Sequence, residues 1–406
     1  MHKTSRPART MSLARVDVRI VVTDPAPNHS QAPTPPLPAW RVLDMSQAIS
    51  GPYAARILSD LGADVLRLES PRTDVTEYFG VVQDGRSGMY AQMNAGKRSV
   101  GIDLAAPGSV DLVRRLAAAA DVLIENFRPG VMDRLGLSYA SLSAAQPRLI
   151  MVSVSGFGPD SQRRALAPVI HAESGILARQ ADLDEREPTD LPLALADTVT
   201  GLHAAIAALA ALHHRAATGR GQHIGLSMLA AVAASDDHAH AAIDLSTEPY
   251  SSRGTIWAAP GGPLLIAAPP KHAWAMLSRR GLIADPAPRG SDLATKAALR
   301  QQAISDWMTG FADRASLLAE LEMAGIAWAE LADSAEKFAD GAHTAPLPGT
   351  DRRVVAMPYE FSAAASGVRR GVARRGAHNA EALADWLGLT ASEVTVLSAD
   401  GVLIAD

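Results

Sequence analysis

The stretch RVLDMSQAISGPYAARILSDLGADVLRLE, residues 41–69, decides the fold. RVLDM (41–45) is a short apolar run of strand length, and Gly51-Pro52 then opens a helical pattern, YAARILSDLG, that closes at Gly62. ADVLRLE (63–69) follows with apolar residues at alternating positions, as in a second strand. Working outward, KRSVGIDL (97–104), DVLIEN (121–126) and RLIMVSVSG (148–156) read as further strands, with VDLVRRLAAAA (110–120) as a helix among them. Strands alternating with helices of this length predict an α/β fold, a doubly wound parallel sheet with helices on both faces. Ligands of such a sheet gather at the carboxyl ends of its strands. Residues 201–217 predict a core helix that is apolar nearly all round, followed by the polar TGRGQH (218–223) and a strand-like IGLSML.

The chain has 406 residues, enough for two structural domains. A loose arm, basic at first and Pro-rich at its end, is expected over 1–37. A large domain spans 38–235, a smaller α+β domain 236–335, and residues 336–406 return to the large domain. The smaller domain holds Trp257, Trp274, Trp307 and Trp328, two helical stretches near 271–281 and 296–324, and Gly261-Gly262 as a turn between TIWAA and PLLIAA. Hydrophobic residues at 48%, charged residues at 20% and a mean hydropathy of +0.04 fit a globular enzyme. Net charge is −5 and the cationic residues are scattered, so no nucleic-acid partner is expected. The apolar stretch 201–212 is shorter than the ~20 residues of a bilayer span, so no membrane partner is expected. The absence of cysteine excludes disulfides, thiolate metal sites and Cys nucleophiles, and it suits a cytoplasmic protein. No G-x-G-x-x-G follows the first strand, and neither a P-loop, a G-x-S-x-G elbow nor H-E-x-x-H occurs.

Four segments occur in order: the opening stretch, YAQMNAGKRSVGIDL (90–104), DVLIENFRPGVMDRLGLSYASLSAAQPRLIMVSVSGFG (121–158) and TGRGQHIGLSML (218–229). Together they resemble the family III CoA-transferases, a group that also contains acyl-CoA racemases and carnitine-type transferases. The resemblance resumes at AGIAWAEL (324–331), PYEFSAAASGVRR (358–370) and RRGAHNAEALADWLGL (374–389). It implies a nucleophilic aspartate ahead of the long apolar helix, which here is Asp197 in LALADTVTGLHAAIAALAALHHRAATGRGQ. A carboxylate can attack a thioester and carry coenzyme A to a second acid, with no metal and no tightly bound cofactor. From spacing alone Asp197 reads better as a helix N-cap, and the resemblance reverses that reading. The resemblance further implies that Asn126 and Phe127 lie beside the adenine and pantetheine of CoA, that Arg134 reaches a phosphate, and that Arg164 falls where family members can place a basic contact, with Arg128 and Arg72 nearby. Partners would be acyl-CoA and carboxylic acid substrates and a second copy of the chain, in an interlocked homodimer.

Three departures narrow the expectation. Racemase members carry a His-Asp pair where this chain has Leu166-Ala167, and racemisation needs two bases facing one α-carbon. His171, one turn later in PVIHAESG, reads as a buried, satisfied core histidine rather than a replacement base. Oxalate-linked members carry a glycine-rich lid, for which Gly254 and Pro260-Gly261-Gly262 are the nearest match, and these read better as a hairpin turn. Ile49, where users of small dicarboxylates can have a polar side chain, hints at an apolar acyl group. The alternatives to a CoA-transferase are an acyl-CoA racemase or isomerase, and a silent subunit, against which Asp197 itself argues.

Overall fold

The computed structural model describes residues 34–83, 85–239, 243, 253–338 and 341–406. Most of the expected arm therefore lies outside the described residues; at its end, the Leu37 N–H donates to the Leu61 carbonyl at 2.9 Å and Leu37 packs on the core. Six parallel strands form the central sheet: β1 (Arg41–Asp44), β2 (Asp64–Glu69), β3 (Arg98–Ile102), β4 (Val122–Glu125), β5 (Ile150–Ser155) and β6 (His223–Ser227). Across the sheet their order is β3-β2-β1-β4-β5-β6. Beyond β3 lies an unanticipated edge strand, Leu403–Ile404, pairing antiparallel with it. Alternation along each strand feeds two cores. Val42, Val65, Val122, Ile124, Ile150 and Val152 face one side, while Leu43, Leu66, Leu123 and Met151 face the other. Burying each such side chain stabilises by ~1.5–3 kcal/mol, and coverage of both faces is why these strands read as nearly continuous apolar runs.

On the first face lie α1 (Ser50–Asp60), α3 (Ala167–Glu173), α4 (Leu195–Thr218) and α5 (Met228–Ser235), and on the second lies α2 (Ser109–Ala119). Helix α4 is longer than its sequence reading. Its 24 residues are by length and composition enough to cross a bilayer, longer than the stretch 201–212 on which the sequence reading rested. It packs here through Ala204, Ala205, Ala208, Ala211 and Leu212. Its last turn is fixed by buried Arg215, which donates to Asp121 Oδ1 at 2.7 Å and to the Arg148 carbonyl at 2.9 Å. Helices α1 and α4 approach so closely at Gly201 that a Cβ there would stand 2.8 Å from the Ser50 carbonyl oxygen and 2.9 Å from Tyr53 Cδ1. Gly201→Val is therefore expected to force the two helices apart and cost ~1–3 kcal/mol, read as a lowered thermal midpoint; an unchanged midpoint would show that the pair has slack.

Two glycines explain TGRGQ physically. Gly219 ends α4 in the left-handed conformation at φ +73°, and a Cβ on Gly221 would sit 1.9 Å from the Leu149 carbonyl oxygen. Residues 255–330 build a separate core from β7 (Thr255–Trp257), β8 (Leu264–Ile266), β9 (Trp328–Glu330), α6 (Pro270–Arg279), α7 (Leu293–Thr309) and α8 (Arg314–Met323). The expected single helical stretch over 296–324 is two helices, because Asp313 starts a new one by accepting from the Ser316 N–H at 2.8 Å. β7 and β8 pair as an antiparallel hairpin. Its turn has Pro260 followed by Gly261 at φ +79°, closed by Gly262 N–H to the Ala259 carbonyl at 3.1 Å, as a type II turn requires. Helix α9 (Asn379–Leu387) returns to the second face of the main sheet through Leu383 and Trp386.

Candidate functional site

The order β3-β2-β1-β4-β5-β6 reverses direction between β1 and β4, and the crevice outside the carboxyl ends of those two strands is where such sheets bind ligands. The loops leaving β1 and β4 are tied together across it. Asn126 Oδ1 accepts from the Gln47 N–H at 2.8 Å, and its Nδ2 donates to the Gln47 carbonyl at 2.7 Å. Ala48, next in the loop, is one of the few non-glycine residues with positive φ, +61°, and its N–H donates to Asp74 Oδ2 at 3.1 Å. Strain of this kind costs of order 1–3 kcal/mol and persists only where neighbours over-determine it.

Over this crevice lies a cavity of about 380 Å³. Ala48 borders it from the loop after β1, Ser50 from the start of α1, Phe127 and Arg128 from the loop after β4, Arg164 and Leu166 from the segment before α3, and Asp197 from α4. Phe127, half-buried, also walls two adjoining spaces. One is a slot of about 190 Å³ lined by Leu68, Ile102, Leu104 and Arg72. The other, about 180 Å³, holds Glu125, Tyr139, Ser153 and His223. In the latter, Ser153 Oγ lies 2.9 Å from His223 Nε2, His223 stacks on Tyr139, and burial pushes the Glu125 carboxyl up. Sequence reasoning missed this cluster, since Glu125, Ser153 and His223 come from three separate strands and Tyr139 from the start of a short helix, with no spacing signal among them.

Asp197 is the third residue of α4 rather than its cap. The position before the helix is Ala194, which offers no side-chain acceptor. The Asp197 side chain faces the cavity, and among the described residues lining that cavity it is the single carboxyl group, with no imidazole beside it. Burial pushes its pKa up to about 6. A carboxylate so desolvated is ionised at neutral pH yet poorly solvated, which is the condition of an activated nucleophile.

The other expected site residues fare differently. Phe127 and Arg164 come together with Asp197 on one cavity. The Arg164 side chain has no hydrogen bond or ion pair among the described residues, whereas neighbouring Arg163 is engaged by Glu173 and lies over the Phe157 ring. Asn126 borders the cavity, but its amide is committed to the Gln47 clamp. Arg134 ends the short helical turn Val131–Arg134, exposed and outside the three cavity walls, and Arg72 lines the slot beyond Phe127. Ile49, on which the hint of an apolar acyl group rested, is 6% exposed and does not line the cavity, where Ala48 and Ser50 do. Where a second base would stand, the cavity shows Leu166. His171 is buried and fully partnered, as expected. The Pro260-Gly261-Gly262 turn is pinned by Arg314, which donates to the carbonyls of Pro260 at 2.9 Å and Gly262 at 3.0 Å, unlike a lid.

Comparison with known proteins gives one consistent result. A family model described as CoA-transferase family III matches residues 37–379. A succinate–glutarate CoA-transferase of Agrobacterium fabrum is 36% identical over 206 residues, covering 48% of this chain and 51% of that protein. The beta subunit of a succinyl-CoA–L-malate CoA-transferase of Chloroflexus aurantiacus is 39% identical over 205 residues, 49% of this chain and 50% of that one. The chain thus spans about half the length of the curated relatives it matches. Among solved structures, a CAIB/BAIF family protein from Brucella suis superposes with a TM-score of 0.72 at 28% identity, covering 87% of this chain and 100% of that one.

Proposed function

The chain belongs to CoA-transferase family III, and from that premise we propose that it moves coenzyme A from an acyl-CoA thioester to a free carboxylic acid, with Asp197 as the covalent nucleophile. The observation that carries this reading is a lone, desolvated carboxyl on the cavity at the sheet's switch point. An Asp197 oxygen attacks the thioester carbonyl, the C–S bond breaks, and an acyl-aspartyl anhydride forms as CoA thiolate leaves. The thiolate attacks the aspartyl carbonyl, releasing the first acid and leaving an aspartyl-CoA thioester. The acceptor carboxylate then reverses both steps, ends as its CoA thioester and restores the Asp197 carboxylate. No external acid, base or oxidant enters the balance.

Phe127 offers an aromatic face to the pantetheine on the cavity side and to adenine on the Leu104 side, and Arg164 and Arg128 supply cations for phosphate or for a substrate carboxylate. Arg134 is assigned to a CoA phosphate at the outer edge. In this reading residues 38–235 and 336–406 hold CoA, residues 236–335 cover a site in a second copy, and the protein acts in the cytoplasm as an interlocked homodimer without a tightly bound cofactor. What supports pairing is the apolar outer side of α4, where Leu202 is 39% and Ile206 61% exposed. The racemase alternative needs two bases, and the cavity presents one.

The test is intact-mass spectrometry after incubation with a panel of acyl-CoAs, quenched with hydroxylamine or borohydride. An adduct mapped to Asp197 is expected. No adduct with any donor, together with α-proton exchange in deuterated water, would move the assignment to an isomerase.

A further inference from the structure

Helix α4 carries the reactive carboxyl but begins without a cap of its own, and an acceptor from another helix completes it. The N–H of Ala196, immediately before Asp197, donates to Nε2 of His171 at 3.1 Å. His171 lies on α3, is 1% exposed, and holds its other ring nitrogen, Nδ1, 2.9 Å from Asp190 Oδ1. Asp190 is itself oriented by the Leu191 N–H, at 2.8 Å from the same oxygen. A ring nitrogen that accepts an N–H carries no proton, so the proton sits on Nδ1 and is donated to Asp190, which fixes one tautomer and one ring orientation.

We propose that His171, locked by Asp190, is a positioning residue that holds the first turn of α4 in register and so aims the Asp197 carboxyl at the bound thioester. The inference rests on the transfer reading above. His171 does not line the cavity and touches no reacting atom; it acts through the Ala196 amide. Misplacing a catalytic group by about 1 Å can cost ~10²-fold in rate, so loss of this anchor falls on the chemical step rather than on CoA binding.

The experiment compares His171→Leu, His171→Gln and Asp190→Ala with wild type by the single-turnover rate of Asp197 adduct formation, the dissociation constant for free CoA, and hydrogen exchange of the peptide spanning 193–200. His171→Leu keeps an apolar body but loses the acceptor: a rate loss of ~10–100-fold, faster exchange at 193–200 and CoA affinity within about 2-fold are expected. His171→Gln retains an acceptor oxygen and should recover the rate to within about 5-fold of wild type. The Asp190 side chain is 44% exposed, so Asp190→Ala keeps the fold even if His171→Leu does not, and a loss of ~3–10-fold is expected as the ring comes loose. Wild-type rates and exchange in the folded variants overturn the proposal, as does a failure of glutamine to rescue. If wild type forms no adduct, the transfer reading falls, and the exchange at 193–200 alone decides whether His171 anchors the helix.

Discussion

Asp197→Asn is expected to lower acyl transfer by at least ~10³-fold while leaving CoA affinity nearly intact, and to make the protein more stable at neutral pH. The first effect follows because an amide of the same size cannot form the anhydride. The second follows from the raised pKa. With a value of about 6 in the folded chain against an ordinary 3.8, the folded state holds its proton between those pH values while the unfolded state has lost it. Stability therefore falls as pH rises from about 4 to 6, and above pH 6 the full cost of ionising Asp197 is present, on the order of 2–3 kcal/mol. Asparagine removes that cost. Thermal unfolding at pH 4 and pH 7.5 should show a gap between variant and wild type that opens only at the higher pH. An equal midpoint at pH 7.5 would mean that Asp197 is better solvated than its surroundings indicate. The same titration predicts that wild-type adduct formation rises with pH through about 6, since only the carboxylate attacks.

The strands and the first crossover were legible at 41–69 because both faces of the sheet are covered and apolar alternation had no solvent side to obscure it. The break near 310 was written in the chain as Asp313 three residues ahead of Ser316, a capping signal that the apolar periodicity around it masked. Asp197 illustrates the limit of local reading. An aspartate ahead of a long helix suits a cap, and only the fold reveals that His171, 25 residues before Ala196 in the chain, takes the capping role and leaves the carboxyl to the cavity. The Gln47–Asn126 clamp spans 79 residues and has no local signal at all. Asn126, identified by resemblance as a CoA contact, turns out to spend its amide in joining the two loops that shape the crevice.

Lys97→Met is expected to be the most damaging single change outside the cavity. Lys97 is 2% exposed, and each of its three ammonium hydrogens has a partner: Asp44 Oδ2 at 2.8 Å, the Pro52 carbonyl at 2.9 Å and Asn94 Oδ1 at 2.9 Å. Asp44, the last residue of β1, is wholly buried. Burial alone would push its carboxyl up, but Lys97 and Arg67 hold it below its ordinary value, so it is an anion facing cations. Methionine fills the lysine's volume and removes the nearer cation, leaving a buried carboxylate and a buried carbonyl without it. Breaking a buried ion pair from one side typically costs ~3–5 kcal/mol, because the remaining charge cannot recover its hydration. Urea unfolding should record a loss of that size, and a loss under about 1 kcal/mol would show that Arg67 compensates. The consequence reaches the site because Asp44 Oδ1 also accepts from the Ser46 N–H at 3.0 Å and from the Ser46 hydroxyl, which fixes the loop that runs on to Gln47 and Ala48. Where the variant still folds, KM for acyl-CoA should rise several-fold while the pH dependence of Asp197 stays in place, since the crevice wall loosens and the nucleophile on α4 does not move.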